Sequence, residues 1–199
     1  SRKWSTGVAM VDINGDQLLD IYVCNSGNIR GDDRANELFI NQGTKENGIP
    51  EFQEAAADYG IDNRGFSIHA AFFDYDRDGD LDFYITSDQD HRNALYQNDG
   101  RGNFEDVAEE AGVEAIQWNS TGVVACDFNN DGYQDLYVGS QGASGDGLDF
   151  LSSPLEQGNK DLLFLNNGDG TFTDITDAAF GDSVNLRSAM SIACADVDG

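Results

Sequence analysis

Acidic residues recur along the chain at a fixed internal spacing. They read DINGDQLLD from Asp12 to Asp20, DYDRDGDLD from Asp74 to Asp82 and DFNNDGYQD from Asp127 to Asp135, and a fourth copy begins as Asp196-Val197-Asp198-Gly199. Counted from the first Asp, positions 1, 3, 5 and 9 carry oxygen side chains every time: Asp12, Asn14, Asp16 and Asp20; Asp74, Asp76, Asp78 and Asp82; Asp127, Asn129, Asp131 and Asp135. Only hard oxygen donors stand there. Such a set on one tight turn suits Ca²⁺, which takes about six to eight oxygens in adaptable geometry, better than Mg²⁺, which keeps its waters; soft metals would want His or Cys. One such loop would read as a solvated turn, since Asp, Asn and Gly are ordinary turn formers. Three in register, with a fourth begun, argue for a cation. At these four positions the second loop carries one more carboxylate than the others and is expected to bind most tightly. The first has Gln17 where the others have Gly79 and Gly132, with Gly15 two positions earlier, so its turn is expected to differ or to be strained.

An EF-hand would need Glu at position 12 and helices on both sides. Position 12 is Val23, Ile85 and Val138, and the flanks read as strands, so this reading and a dockerin-like one both fail. Upstream lie Gly7 to Val11, Ala70 to Phe73, Gly122 to Cys126 and Ile192 to Ala195; downstream lie Ile21 to Val23, Phe83 to Ile85 and Leu136 to Val138. These β-branched and aromatic runs predict two strands around each loop. A second motif follows each time: NELFINQG from Asn36, NALYQNDGRGNFEDV from Asn93 and DLLFLNNGDGTFTDI from Asp161. Its Asn/Asp/Gly cluster between apolar runs predicts a hairpin, with Phe52, Phe104 and Phe172 opening the return strand. Four strands per repeat in tandem predict an all-β chain, a β-propeller of four-stranded blades. The loop starts lie 62, 53 and 69 residues apart, and the repeats run approximately over 1–61, 62–113, 114–180 and a truncated 181–199 in one partial domain. Glu54 to Tyr59 and Asp106 to Ala111 are short enough for a loop or a single helical turn. Gly139 to Lys160 reads as an insertion, which in repeat proteins often lies on a binding face.

With 11 Lys+Arg against 37 Asp+Glu the formal net charge is −26, which excludes a nucleic-acid binder that works by neutralising phosphates. No apolar run approaches the ~18 residues of a membrane span. The start, Ser1 to Trp4, has neither an initiator Met nor a signal segment and reads as mature, processed or cut. Cys24, Cys126 and Cys194 are an odd number without close pairing, so they read first as small buried thiols, with a disulfide between two of them left open. His69 falls on a strand and His91 in a polar connection. Neither has a counterpart in another repeat, and no catalytic constellation separates itself from the loop carboxylates. Asn119-Ser120-Thr121 is a glycosylation sequon, although Ser120 and Thr121 also match Ser5 and Thr6 as repeat positions.

The pattern D-x-[DN]-x-D-G-x-x-D followed by L-Y-x-N-x-G-x-G-x-F resembles FG-GAP/VCBS repeats. These occur in integrin α-subunit propellers and in proteins of the cartilage acidic protein, or ASPIC/UnbV, type. The resemblance covers essentially the whole chain. It implies Ca²⁺ ligation by the side chains at positions 1, 3, 5 and 9 and by the backbone carbonyl at position 7, here Leu18, Asp80 and Tyr133, with Asp196 and Asp198 opening a fourth site. Such propellers usually have seven blades, so three repeats and a stub are expected to be part of a longer chain, or to be closed by copies of themselves. About three Ca²⁺ would take the formal charge from −26 to −20. The expected function is a non-catalytic, secreted, surface or periplasmic module for adhesion or recognition of a protein or glycan. A structural subunit of an extracellular filament or matrix, self-assembling, is the alternative; a propeller hydrolase or lyase is the third.

Overall fold

The apolar runs on either side of each acidic loop are strands, and the short distance between them forces an antiparallel pair. In the computed structural model, which describes residues 3–27, 33–88, 91–116, 119–141, 160–181 and 192–195, these pairs seed three four-stranded antiparallel sheets. The first holds β1 (Trp4–Val11), β2 (Asp20–Ser26), β3 (Glu37–Thr44) and β4 (Pro50–Glu54). The second holds β5 (Ser67–Phe73), β6 (Asp82–Ser87), β7 (Ala94–Asn98) and β8 (Phe104–Asp106). The third holds β9 (Ser120–Cys126), β10 (Asp135–Ser140), β11 (Leu162–Asn166) and β12 (Phe172–Asp174). Each sheet is an up-and-down blade in sequence order. Single helical turns follow the last strand of two blades, α1 at Ala108–Ala111 and α2 at Thr176–Phe180; the second of these has no counterpart in the sequence reading.

The blades stack face to face, which is why their middle strands do not alternate apolar with polar. Every residue of β6 is buried: Phe83 and Ile85 point into a core shared with Tyr22, Leu38 and Ile40 of the first blade, while Tyr84 joins Leu136, Val138 and Phe164 of the third. The first strands of neighbouring blades touch. Thr6 Oγ1 donates to the Ser67 carbonyl at 2.6 Å, and the Val123 N–H donates to His69 Nδ1 at 3.4 Å. A Cβ on Gly7 would lie 2.4 Å from the Ile68 carbonyl oxygen, so this approach requires glycine.

A polar network, repeated with the blades, closes each seam. Asn36 Oδ1 accepts the Asn25 N–H at 2.8 Å, and its amide donates to Tyr22 Oη and to Ser67 Oγ of the next blade, both at 3.0 Å. Asn93 repeats this with the Ser87 N–H at 2.8 Å and with Tyr84 Oη and Ser120 Oγ at 2.9 Å. The tyrosine hydroxyls donate onward to the carbonyls of Ile61 and Val113. Ser120 therefore serves the seam, in keeping with its reading as a repeat position. In the third blade Asp161 takes the place of Asn and the bond to tyrosine reverses, Tyr137 donating to its carboxylate at 2.9 Å.

The expectation of three buried thiols is corrected. Cys24 is free and buried, but Cys126 and Cys194 form a disulfide across 68 residues of sequence. It joins the end of β9 to the apolar run that precedes the fourth acidic motif, whose Ile192 also lies against Gly122. Sequence spacing could not reveal a pair made by the lateral neighbourhood of two blades. The other end of the array shows an open face. Val8 and Met10 on β1 are 66% and 64% exposed, whereas the counterparts of Val8, Ala70 and Val123, are buried and those of Met10, Phe72 and Ala125, are half-buried in the cores shared with the preceding blade. Most of the insertion at 139–160, with Asp196 and Asp198, lies outside the described residues.

Candidate metal centre

Each acidic loop connects the first two strands of a blade and is tied down by its own side chains. The first Asp accepts the N–H of position 6 in all three: Gln17 to Asp12 at 2.8 Å, Gly79 to Asp74 at 3.2 Å and Gly132 to Asp127 at 2.9 Å. The position 5 carboxylate accepts the N–H of position 7, with Leu18 and Tyr133 at 2.8 Å and Asp80 at 3.1 Å. These short-range bonds fold the loop around the oxygens at positions 1, 3 and 5.

The expected difference in the first loop is one of position only, since each loop holds one glycine and one other residue at positive φ. Positions 4 and 6 take positive φ in every loop: Gly15 and Gln17 at 72° and 71°, Arg77 and Gly79 at 63° and 99°, Asn130 and Gly132 at 59° and 92°. The turn is shared, and glycine has moved from one of its two left-handed positions to the other. Gln17 consequently sits where a side chain is disfavoured by about 1–2 kcal/mol. Replacing it with glycine is expected to stabilise the chain by about 0.5–1 kcal/mol after the entropic cost of glycine, read as a melting temperature ~1–4 °C higher. A lower melting temperature for Gln17→Gly would show that the Gln side chain is needed in the loop.

In the second loop, carboxylate oxygens of Asp74, Asp76 and Asp78 lie within 4.8 Å of one another. Asp74 Oδ1 is buried there without a hydrogen-bond partner, and so is Asp80 Oδ1. An oxygen-only cluster holding orphaned carboxylate oxygens fits a hard cation, which would supply the missing partner. An amide hydrogen meets a carboxylate in each loop: Asn14 donates to Asp16 at 3.0 Å, Gln97 to Asp76 at 2.7 Å and Asn129 to Asp131 at 2.7 Å.

Position 9 has a task that the spacing did not reveal. Asp20, Asp82 and Asp135 are fully buried, and each uses both oxygens on backbone N–H groups. Asp20 holds Ile13 at 3.1 Å and Asn41 at 2.7 Å; Asp82 holds Tyr75 at 3.0 Å and Asn98 at 2.9 Å; Asp135 holds Phe128 and Asn166 at 2.9 Å. Each thereby joins its loop to the hairpin motif. The asparagines of that hairpin are the residues sequence reasoning missed. Asn41, Asn98 and Asn166 each donate their amide to the position 8 carbonyl, of Leu19, Leu81 and Gln134, and accept the N–H of Gly43, Gly100 or Gly168. Their signal was present as the recurring N-x-G, read only as a turn.

Burial raises the Asp82 carboxyl to about 7; the N–H groups of Asn98 and Tyr75 oppose this, and the charges of Asp76 and Asp80 add to it. Burial and the crowding of Asp78, Asp76 and Asp74 raise Asp80 to about 6. Asp20 and Asp135 are raised by the same burial. A carboxyl whose folded value lies above its unfolded one binds its proton more tightly when folded. The cation-free chain therefore loses stability as pH rises from about 4 to 7. Its melting temperature in chelator is expected to be higher at pH 5 than at pH 7.5; equal values would show that the loop carboxylates are not crowded in the fold.

A family model described as FG-GAP-like repeat matches residues 12–85 and 74–138. Cartilage acidic protein 1 of Homo sapiens is 31% identical over 139 residues, covering 67% of this chain and 20% of that protein. The proteins of the same name from Mus musculus and Xenopus tropicalis are 30% and 29% identical over the same length. The chain spans about a fifth of the length of these relatives.

Proposed function

The chain belongs to the FG-GAP-like repeat family, and on that premise we propose that it is a Ca²⁺-stabilised, non-catalytic blade array that presents an acidic surface for recognition outside the cell. The observation that carries the cation is the second loop, where Asp74, Asp76 and Asp78 converge and Asp74 Oδ1 has no partner. Side chains of Asp12, Asn14 and Asp16, of Asp74, Asp76 and Asp78, and of Asp127, Asn129 and Asp131 hold the ions, with the position 7 carbonyls of Leu18, Asp80 and Tyr133. The position 9 carboxylates hold the loop to the hairpin and keep lone pairs for the ion. A bound cation supplies positive charge that the crowded carboxylates otherwise lack. Calorimetric titration of the chelator-treated chain with CaCl₂ tests this: about three ions bind, and Asp76→Asn with Asp78→Asn removes one. No heat from the parent chain overturns it.

The disulfide Cys126–Cys194 supports an oxidising compartment, extracellular Ca²⁺ levels suit loops of this kind, and the matched relatives are named for cartilage. Among the described residues no helix is long and apolar enough to cross a membrane. The residual charge favours a partner with a basic surface, protein before sulfated glycan. The histidines support a non-catalytic reading: His69 is occupied at a blade seam and the His91 ring rests on Phe66.

A second reading is self-assembly, in which another copy packs against the first blade. Val8 and Met10 occupy positions whose counterparts in the next two blades pack against a preceding blade, so the occupant with matching chemistry is another repeat of this kind, from the same longer protein or from a second copy. Concentration-dependent particle size that Met10→Asp abolishes would support it.

A further inference from the structure

The three acidic loops are not connected to one another equally. Between the second and third, two side chains cross the blade seam. The Arg77 guanidinium, at position 4 of the second loop, lies 5.1 Å from the ring centroid of Tyr133, at position 7 of the third, within cation–π range. The same ring also lies against the hairpin of its own blade, since a Cβ on Gly168 would fall 2.9 Å from two ring atoms. The second bridge is Asn166. Its amide donates to the Tyr75 carbonyl in the second loop at 2.7 Å and to the Gln134 carbonyl in the third at 3.2 Å. Between the first and second loops the equivalent residues make no such link. Position 4 of the first loop is Gly15, which has no side chain to send across, and position 7 of the second is Asp80, which offers no ring. Among the described residues, Asn98 donates to Leu81 of its own loop and no hydrogen bond joins it to the first loop.

We propose that Arg77, Tyr133 and Asn166 are positioning residues that couple cation binding at the second and third loops, while the first loop fills independently. The inference rests on the cation reading above. Both bridges exist only when the two loops hold their folded shapes together. An ion that fixes the second loop, with Arg77 held at its left-handed φ of 63°, holds Tyr133 in place and presents the third loop already shaped for its ion. The reverse holds by linkage. Repulsion between two divalent ions opposes the coupling and is reduced by screening at physiological salt.

The test compares two variants of the full chain by calorimetric titration with CaCl₂. Asp12→Asn with Asp16→Asn disables the first loop and leaves the coupled pair; Asp127→Asn with Asp131→Asn disables the third and leaves the uncoupled pair. In the first variant the second ion is expected to bind about 10-fold more tightly than an independent site, and in the other within about 2-fold. Arg77→Gly and Tyr133→Leu, which transplant the first loop's own residues at these positions, are then introduced into the coupled-pair chain. Each is expected to bring the 10-fold factor below about 3-fold, and both keep the backbone carbonyl of position 7. Melting in chelator shows whether either substitution has harmed the fold, and the two fail independently of one another. Equal cooperativity in both two-loop chains overturns the coupling, and a factor that survives both substitutions overturns the part assigned to Arg77 and Tyr133; either result leaves the cation reading intact. No Ca²⁺ binding by the parent chain overturns both.

Discussion

Addition of saturating Ca²⁺ to the chelator-treated chain is expected to raise its melting temperature by on the order of 20 °C. Each ion bound only by the folded state adds about 2.7 kcal/mol at 100 times its Kd, so three loops contribute ~8 kcal/mol, and a domain of this size gains about 2–4 °C per kcal/mol. The physical source is visible in the second loop. Without a cation, Asp74, Asp76, Asp78 and Asp80 repel one another and two of their oxygens are buried without a partner; with one, both defects are removed. The size of the effect at each loop should follow its carboxylates. Loss of the second site through Asp76→Asn with Asp78→Asn is expected to cost more of the Ca²⁺-induced shift than loss of the first through Asp12→Asn with Asp16→Asn or of the third through Asp127→Asn with Asp131→Asn. Mg²⁺ at the same concentration is expected to give a much smaller rise, because it keeps its waters and wants octahedral order. A melt that ignores Ca²⁺ would reduce the three loops to acidic turns held by their own hydrogen bonds.

The second large effect lies at a blade seam, away from any carboxylate. Asn93→Ala strands the Ser87 N–H and takes an accepted hydrogen bond from both the Tyr84 and the Ser120 hydroxyl, with Tyr84 keeping its bond to the Val113 carbonyl, in a place where no water reaches Asn93, Tyr84 or Ser120. Leaving buried polar groups unsatisfied costs about 1–3 kcal/mol each; relaxation recovers part, so a loss of ~3–5 kcal/mol is expected. Ser120→Ala removes one arm of the same network and should cost about 1 kcal/mol. Denaturant melts of the three chains in Ca²⁺ measure this directly. An Asn93→Ala loss no larger than that of Ser120→Ala would mean that the apolar faces alone hold the blades and that the network is incidental. The seam also explains why the second blade has no polar face: Phe83 and Tyr84 are neighbours in sequence yet serve different cores.

Both expectations depend on features of different legibility. The carboxylate spacing was legible because the acidic loop is local: positions 1 to 9 find one another through bonds such as Gln17 to Asp12 and Leu18 to Asp16, which span five residues or fewer. The four strands per blade were legible for the same reason, since antiparallel neighbours follow one another along the chain and their turns are written in Asn, Asp and Gly. The single helical turn at Ala108–Ala111 fell inside a stretch whose shortness already limited it to that. The family likeness was legible because both motifs recur at near-constant distance.

Taken by itself, the sequence determined the repeat, the all-β blades and the acidic loops between their first two strands, each a matter of residues close along the chain and of backbone angles that a side chain permits or resists. The tertiary structure decided everything that depends on which blade lies beside which. It gave the buried position 9 aspartates their second partners, 16 to 31 residues away in Asn41, Asn98 and Asn166. It brought Cys126 to Cys194, left Val8 and Met10 open on the first blade, and set Asn166 on the carbonyl of Tyr75 across 91 residues. The reason is one of distance. Hydrophobic burial stacks the blades without regard to sequence separation, and only after stacking do particular polar groups meet.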